Sequence, residues 1–192
     1  MATNQKAFRF YEDGSESGSV AIDTQDTNIS EDNTGDSVVL LRILVEATGI
    51  AIDTEPDPDW RLQYRKNSGT WTNVTTSSSN VKGFASSSLT DGGATTNRLT
   101  GGTGTFIAGL VSEDGLADGS DPQAGQFTEY LFALTLIDAD TVDTDTLDFR
   151  LLRDGSTLDT YTVTPRVTIS KSGGGGGGNF PKKTRLLLVG VG

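Results

Sequence analysis

The apolar residues of this chain come in short bursts, each closed off by Gly, Ser, Thr, Asp or Asn. Bursts of about four to eight residues framed by turn formers fit strands, and they are too short and too β-branched to build amphipathic helices. The clearest case is residues 59–74, DWRLQYRKNSGTWTNV, where Trp60, Leu62 and Tyr64 alternate with Arg61, Gln63 and Arg65. A period of two puts the aromatic and aliphatic side chains on one face of a strand and the charges on the other. Asn67-Ser68-Gly69 then turns the chain, with Gly69 expected at the positive-φ position and Trp71 and Val74 on the return strand.

Residues 37–46, SVVLLRILVE, form a nearly continuous β-branched run that suits a central strand covered on both sides. Strands are also expected at 6–11, 19–22, 105–111, 127–137 and 146–152. Leu147 and Phe149 face one way there, with Asp148 and Arg150 opposite. Asp154-Gly155 reads as a hairpin turn, and the return over 157–170 is expected at a sheet edge or broken at Pro165, which has no amide hydrogen to give to a ladder.

Residues 75–104 are Ser, Thr, Gly and Asn with Val81, Phe84, Leu89 and Leu99 as the only anchors. A structureless loop of that length is unusual in a compact domain, so short strands or an exposed, partner-facing excursion are expected. About nine candidate strands and no convincing helix point to an all-β antiparallel sandwich, immunoglobulin-like or jelly-roll-like, over residues 1–170. The core is expected to include Val39, Leu41, Ile43, Trp60, Leu62, Tyr64, Leu134, Leu147, Phe149, Tyr161 and Val163. Two packed sheets are favoured over a small barrel because the loops are long and unequal.

Six consecutive glycines, Gly173 to Gly178, mark residues 171–180 as a flexible linker. Beyond them, residues 181–192 carry a further expected strand, a basic and apolar C-terminal arm. The last 33 residues hold five cations and no acid, a charge of +5 against −16 for the rest. Lys182, Lys183, Arg185, Leu186, Leu187, Leu188 and Val189 are therefore the candidate partner-binding residues, able to add a strand to an exposed sheet edge.

Composition closes off much of chemistry. The 192 residues include no cysteine and no histidine. That removes disulfides, thiolate or imidazole metal ligation and the Ser-His-Asp triad, so no catalytic residues and no cofactor are expected. A net charge of −11 argues against a nucleic-acid partner for the main body. No apolar run is long enough to span a bilayer, and the opening MATNQKAFRFYED has no signal-peptide core.

Two acidic runs have oxygen ligands of the kind calcium takes: Asp53, Glu55, Asp57 and Asp59, and Asp138, Asp140, Asp143 and Asp145. The second set is the candidate metal site. Neither has the glycine and glutamate spacing of an EF-hand, and acidic loops also cap turns and hydrate sheet ends. Trp60, Trp71, Tyr64 and Tyr130 are read as core residues first and a sugar-stacking platform second, with Trp71 set apart from the others by the polar Thr70 and Thr72 that flank it.

Trp60-x-Leu62-x-Tyr64 with its hairpin, and Asp145-x-Leu147-x-Phe149 before Asp154-Gly155, resemble strands of an immunoglobulin-like sandwich. The family's two cysteines are absent, and Phe149 falls at the tyrosine-corner position, so the hydroxyl anchor is expected to be missing. The Thr/Gly-rich texture of LLRILVEATG, SSSNVKGFASSSLTDGGATTNRLTGGTGTF and TLDFRLLRDGSTLDTYTVTPRVTIS is similar to that of β-domains in tailed-bacteriophage and prophage structural proteins. That resemblance implies a non-enzymatic virion protein of a capsid, tail or fibre, assembled in the host cytoplasm. Its partners would be further copies of itself or other virion proteins. A carbohydrate-binding or adhesin module that recognises a surface glycan is the alternative.

Overall fold

The structure is a computed structural model that describes residues 2–48 and 58–171. Its strands are β1 (Ala2–Tyr11), β2 (Ile29–Asp32), β3 (Ser37–Thr48), β4 (Asp59–Lys66), β5 (Thr72–Asn73), β6 (Val81–Gly83) and β7 (Thr105–Phe106). They continue with β8 (Val111–Ser112), β9 (Leu116–Asp118), β10 (Gln126–Leu136), β11 (Thr146–Arg153), β12 (Ser156–Thr157), β13 (Thr160–Tyr161) and β14 (Arg166–Ser170). The only helical element among the described residues is a 3-10 turn at Asp138–Asp140.

The first sheet runs β13-β1-β3-β10-β6, and β7 and β8 also pair with β10. The second runs β2-β14-β11-β4-β5, with β12 on β11 and β9 on β4. The long pairs β1·β3, β3·β10 and β4·β11 are antiparallel, but β13·β1, β7·β10, β8·β10 and β2·β14 are parallel. The fold is thus an all-β sandwich of two mixed sheets. The antiparallel expectation holds for the long pairs, and the short parallel ones join strands that are not hairpin neighbours, since a parallel partner needs a crossover. The β8·β10 pair is made by a crossover through β9 in the other sheet, and β13·β1 and β2·β14 join strands far apart in sequence.

Alternation builds the core as expected. Val39, Leu41, Ile43, Val45, Phe132 and Leu134 of the first sheet meet Trp60, Leu62, Tyr64, Leu147, Phe149, Leu151, Val167 and Ile169 of the second, all buried. Tyr161 and Val163 pack against this cluster while staying partly exposed. The register Phe149↔Tyr64 and Leu151↔Leu62 aligns the inward faces of β11 and β4.

β3 is buried on both sides from Val39 to Ala47, as its composition requires. Its second face is covered by the Ser/Thr/Gly segment, which is no exposed excursion. Leu40 joins Tyr11, Val111, Leu131 and Ala133 beneath Phe84 and Leu89, and Leu44 joins Ala7, Phe127 and Leu99. Phe84, Leu89 and Leu99 of that segment thus form a third layer over the first sheet, while Val81 on β6 joins the core between the sheets. Backbone must come close to do this. A Cβ on Gly109 would lie 2.1 Å from the Glu129 carbonyl oxygen, so a side chain there would hold the layer off the sheet.

A buried ion pair fastens the layer. Arg42 and Glu129 are both fully buried, with Nη1 to Oε2 at 2.9 Å. Arg42 also donates to the Thr96 carbonyl and to Glu16, while Glu129 accepts the backbone N–H groups of Arg98 and Leu99. The Arg98 guanidinium lies 4.5 Å from the Tyr11 ring centroid and bonds Ser19 and the Glu16 carbonyl. Two loops, 12–20 and 95–99, are thereby tied to one point on β3 and β10.

Three local expectations change. In the β4–β5 hairpin the positive φ angles belong to Asn67 (49°) and Ser68 (60°), and Gly69 instead donates its N–H to the Lys66 carbonyl at 2.8 Å. Asn67 tolerates this because its side chain bonds Asp145 and the Thr146 N–H. Residues 19–22 form only an isolated bridge, Tyr11↔Ala21. The missing tyrosine anchor is supplied from elsewhere: the Tyr161 hydroxyl donates to the Leu151 carbonyl and accepts from the Leu158 N–H. Asp154-Gly155 turns as expected, with φ of 49° and 72°. The break at Pro165 is also present, and its carbonyl accepts the Phe149 N–H. The glycine linker from residue 172 and the arm at 181–192 lie outside the described residues.

Candidate functional site

With the first sheet roofed by the 84–111 layer, the outer face of the second sheet is built by the charged half of each alternating strand. Inward Trp60, Leu62 and Tyr64 force Arg61, Gln63 and Arg65 outward on β4. Inward Leu147, Phe149 and Leu151 force Asp148 and Arg150 outward on β11, and inward Val167 and Ile169 leave Arg166 outward on β14. Register sets Asp148 opposite both Arg65 and Arg166, and Arg150 opposite Gln63.

The result is an ordered polar array. Arg65 Nε donates to Asp148 Oδ2 at 3.0 Å, and Arg166 Nε donates to Oδ1 at 2.6 Å. Arg150 forks onto Gln63 Oε1 through Nε (3.0 Å) and Nη2 (2.8 Å), while Gln63 Nε2 donates to Asn73 Oδ1 at 2.8 Å. Trp71, half-buried just past the turn, has the Arg65 and Arg150 guanidinium carbons 4.7 and 4.4 Å from its ring centroid. Arg61 bonds the Val74 carbonyl at 3.3 Å. Four arginines, Arg61, Arg65, Arg150 and Arg166, therefore lie on one face with Asp148, while the exposed Asp59 and Asp118 stand at its β9 end and Asp32 at its β2 edge, in a chain whose net charge is −11.

Asp148 is the keystone of the array. Burial pushes its carboxyl up, but the hydrogen bonds and charges of Arg166 and Arg65 outweigh burial and hold it below the usual aspartate range. A carboxylate with a depressed native pKa contributes stability that is present above the unfolded aspartate value and is lost as pH falls through the native one. Urea midpoints should therefore drop below about pH 4. In Asp148→Asn that drop should be shallower, as measured by denaturation from pH 6 to pH 2.5. An equal acid slope in wild type and variant would show that Asp148 is uncoupled from folding.

The sequence-predicted acidic corner looks different in place. Asp138 pairs with Lys171 Nζ at 2.6 Å, Asp140 accepts the Asn80 N–H at 3.4 Å, and Asp143 accepts the Lys171 N–H at 3.0 Å. Asp145 is buried and bonds Lys66, Asn67 and the Val142 N–H. Burial pushes its carboxyl up, and those contacts overcome it and hold it low. The four carboxylates thus cap turns and pair with lysines separately. No group of three or more acidic side chains among the described residues is gathered to hold a metal ion.

Trp60, Tyr64 and Tyr130 lie in the core, with Trp60 stacked on Tyr130 at 5.0 Å, and only Trp71 reaches the outer surface. Asp53, Glu55 and Asp57 and all seven candidate residues of the arm, Lys182 to Val189, lie outside the described residues. The arginine face was foreshadowed by Arg61-x-x-x-Arg65 and Asp148-x-Arg150. Nothing in linear order says that Arg166 closes on Asp148 or that Trp71 folds back over Arg150.

No protein-family model matches the chain, and no curated protein matches it in sequence.

Proposed function

We propose that this is a non-enzymatic structural protein of a virion surface, on a bacteriophage capsid or tail. It would be built into the particle during assembly in the host cytoplasm and act by contact. The observation that carries the reading is the asymmetry of the sandwich. One sheet is sealed on both faces, and the other presents a rigid, patterned polar face, an arrangement suited to display. The complete absence of cysteine and histidine from the sequence agrees with a structural or adhesion-type module, as does the Thr/Gly-rich texture. No helix among the described residues is long and apolar enough to cross a membrane. In this reading residues 186–189 add a strand to a neighbouring copy or to another virion protein, with Lys182, Lys183 and Arg185 guiding the encounter.

The test is the composition of purified particles. The protein should be present at a copy number that matches a symmetry element of the particle, and a chain truncated after Ser172 should fold but fail to incorporate. Absence from particles, or unchanged incorporation of the truncated chain, overturns the virion reading or the role of the arm respectively. A stand-alone carbohydrate-binding or adhesin module is the second reading, and Trp71 beside Arg65 and Arg150 favours it.

A further inference from the structure

We propose that the outer face of the second sheet, centred on Trp71, Arg150, Arg65 and Arg61, is a binding site for an anionic saccharide. The inference rests on the reading of the protein as a surface-display module and names what that surface takes. Three observations support it.

The first is unused donor capacity. Each guanidinium is fixed by an internal partner that takes only part of its fork. Arg65 gives Nε to Asp148, Arg150 gives Nε and Nη2 to Gln63, and Arg61 gives Nη1 to the Val74 carbonyl. No other hydrogen bond from these three side chains forms among the described residues. The remaining N–H groups stay in the fixed, planar geometry that receives a carboxylate or sulfate in pairs. Fixing them beforehand removes much of the side-chain entropy that binding would otherwise cost.

The second is charge. Arg65 and Arg150 flank Trp71, and Asp148 beside them has its two oxygens taken by Arg65 and Arg166. Asp59, Asp118 and Asp32 of the same sheet face lie at its β9 end and β2 edge. The centre of the patch is therefore cationic on an acidic protein and draws an anion there. A long polyanion such as nucleic acid would meet repulsion from the surrounding body.

The third separates a sugar from a protein partner. The centre of a protein interface is apolar, and the large hydrophobic side chains exposed among the described residues are Val20 and Val142, neither on β4, β11 or β14. This face offers one indole among amides and guanidiniums, with Asn73 exposed beside Gln63. Planar polar groups around one aromatic ring suit a ligand that combines hydroxyls and an anionic group with a single apolar ring face.

The full-length protein is titrated calorimetrically with three oligosaccharide probes: one bearing ring carboxylates (oligogalacturonate), one bearing sulfate esters (a heparin fragment) and one neutral (a galacto-oligosaccharide). Saturable binding is expected for at least one anionic probe and none for the neutral one; the preferred anionic probe identifies the source of the charge. Arg150→Ala and Trp71→Ala should each weaken binding about tenfold or more, the weight of one charge-assisted contact. Arg61→Ala, which does not touch the indole, should weaken it with an unchanged melting temperature. Lys82→Ala on the other sheet should leave it unchanged. Equal binding of the neutral probe, no binding of either anionic probe at millimolar concentration, or equal loss in Lys82→Ala overturns the proposal. Light scattering that shows self-association abolished by Arg61→Ala also overturns it, by making the face a contact between copies. Loss of probe binding with normal particle incorporation would sink the site alone, and absence from particles with intact probe binding would sink the virion reading alone.

Discussion

Arg42→Ala is expected to lower the unfolding free energy by about 3–5 kcal/mol, the cost of removing one member of a buried ion pair and stranding the other. Glu129 would remain fully buried with the N–H groups of Arg98 and Leu99 and the Asn97 side-chain amide to hold its charge. Burial already pushes the Glu129 carboxyl above its ordinary range against the pull of those N–H groups and of Arg42. Without the guanidinium it should take up a proton in the native state, so the variant's deficit should shrink as pH falls toward 5. The double variant Arg42→Met, Glu129→Gln should lose less than the sum of the two single changes, since neither side then carries a stranded charge. Urea denaturation with a common m-value measures the cycle of wild type, Arg42→Met, Glu129→Gln and the double variant, with Arg42→Ala beside it. Additive losses would mean that the two side chains act independently. The Arg42 Nε has no partner, while the rest of the guanidinium and the Glu129 carboxylate reach both loops, through Glu16 and Thr96 and through the Arg98 and Leu99 N–H groups.

Trp60→Ala should cost a similar amount, about 3–5 kcal/mol, for a different reason. Trp60 belongs to the second sheet and Tyr130 to the first, and their rings stack at 5.0 Å with 28° between planes. Deleting the indole opens a cavity between the sheets at a point where both walls are strands that cannot collapse inward. Trp60→Phe should cost much less, because the indole Nε1 is buried without a hydrogen-bond partner and phenylalanine removes that unpaired donor. A loss for Trp60→Phe as large as for Trp60→Ala would show that Nε1 is in fact satisfied, through a bound water. Thermal and urea unfolding of both variants decide it.

How far the sequence could be read depends on the range of each interaction. β4 and β11 were legible because a period of two is a local property: Trp60-x-Leu62-x-Tyr64 declares its inward face whatever lies opposite. β10 fitted strand or helix by period and was legible only through Thr128, Thr135 and Ile137 and the loops that frame it. β3 was legible by the reverse signal, since a strand with no polar face must be covered twice. What covers it was not legible, because Phe84, Leu89 and Leu99 are spaced by neither period and find their positions only against Leu40 and Leu44. The Arg42–Glu129 pair did leave a trace. Glu129 is the only charge in its strand and Arg42 stands deep in the apolar run of β3, and an isolated charge inside each of two central strands calls for a partner of opposite sign. The parallel edge pairs left none, since a two-residue strand such as β7 or β13 has no period to detect.

The exchanges of chain between the two sheets have a mechanical consequence. β9 is held in the second sheet while its neighbours in sequence, β8 and β10, are held in the first, and β13 is held in the first between β12 and β14 in the second. β2 is likewise held in the second sheet between β1 and β3 of the first, so the sandwich is laced at several places along the chain. Separating the sheets would draw β9 and β13 out of their ladders before the apolar faces could part, so the layers cannot delaminate one at a time. A tensile load that reached this body would be shared between the sheets and resisted up to a single abrupt yield.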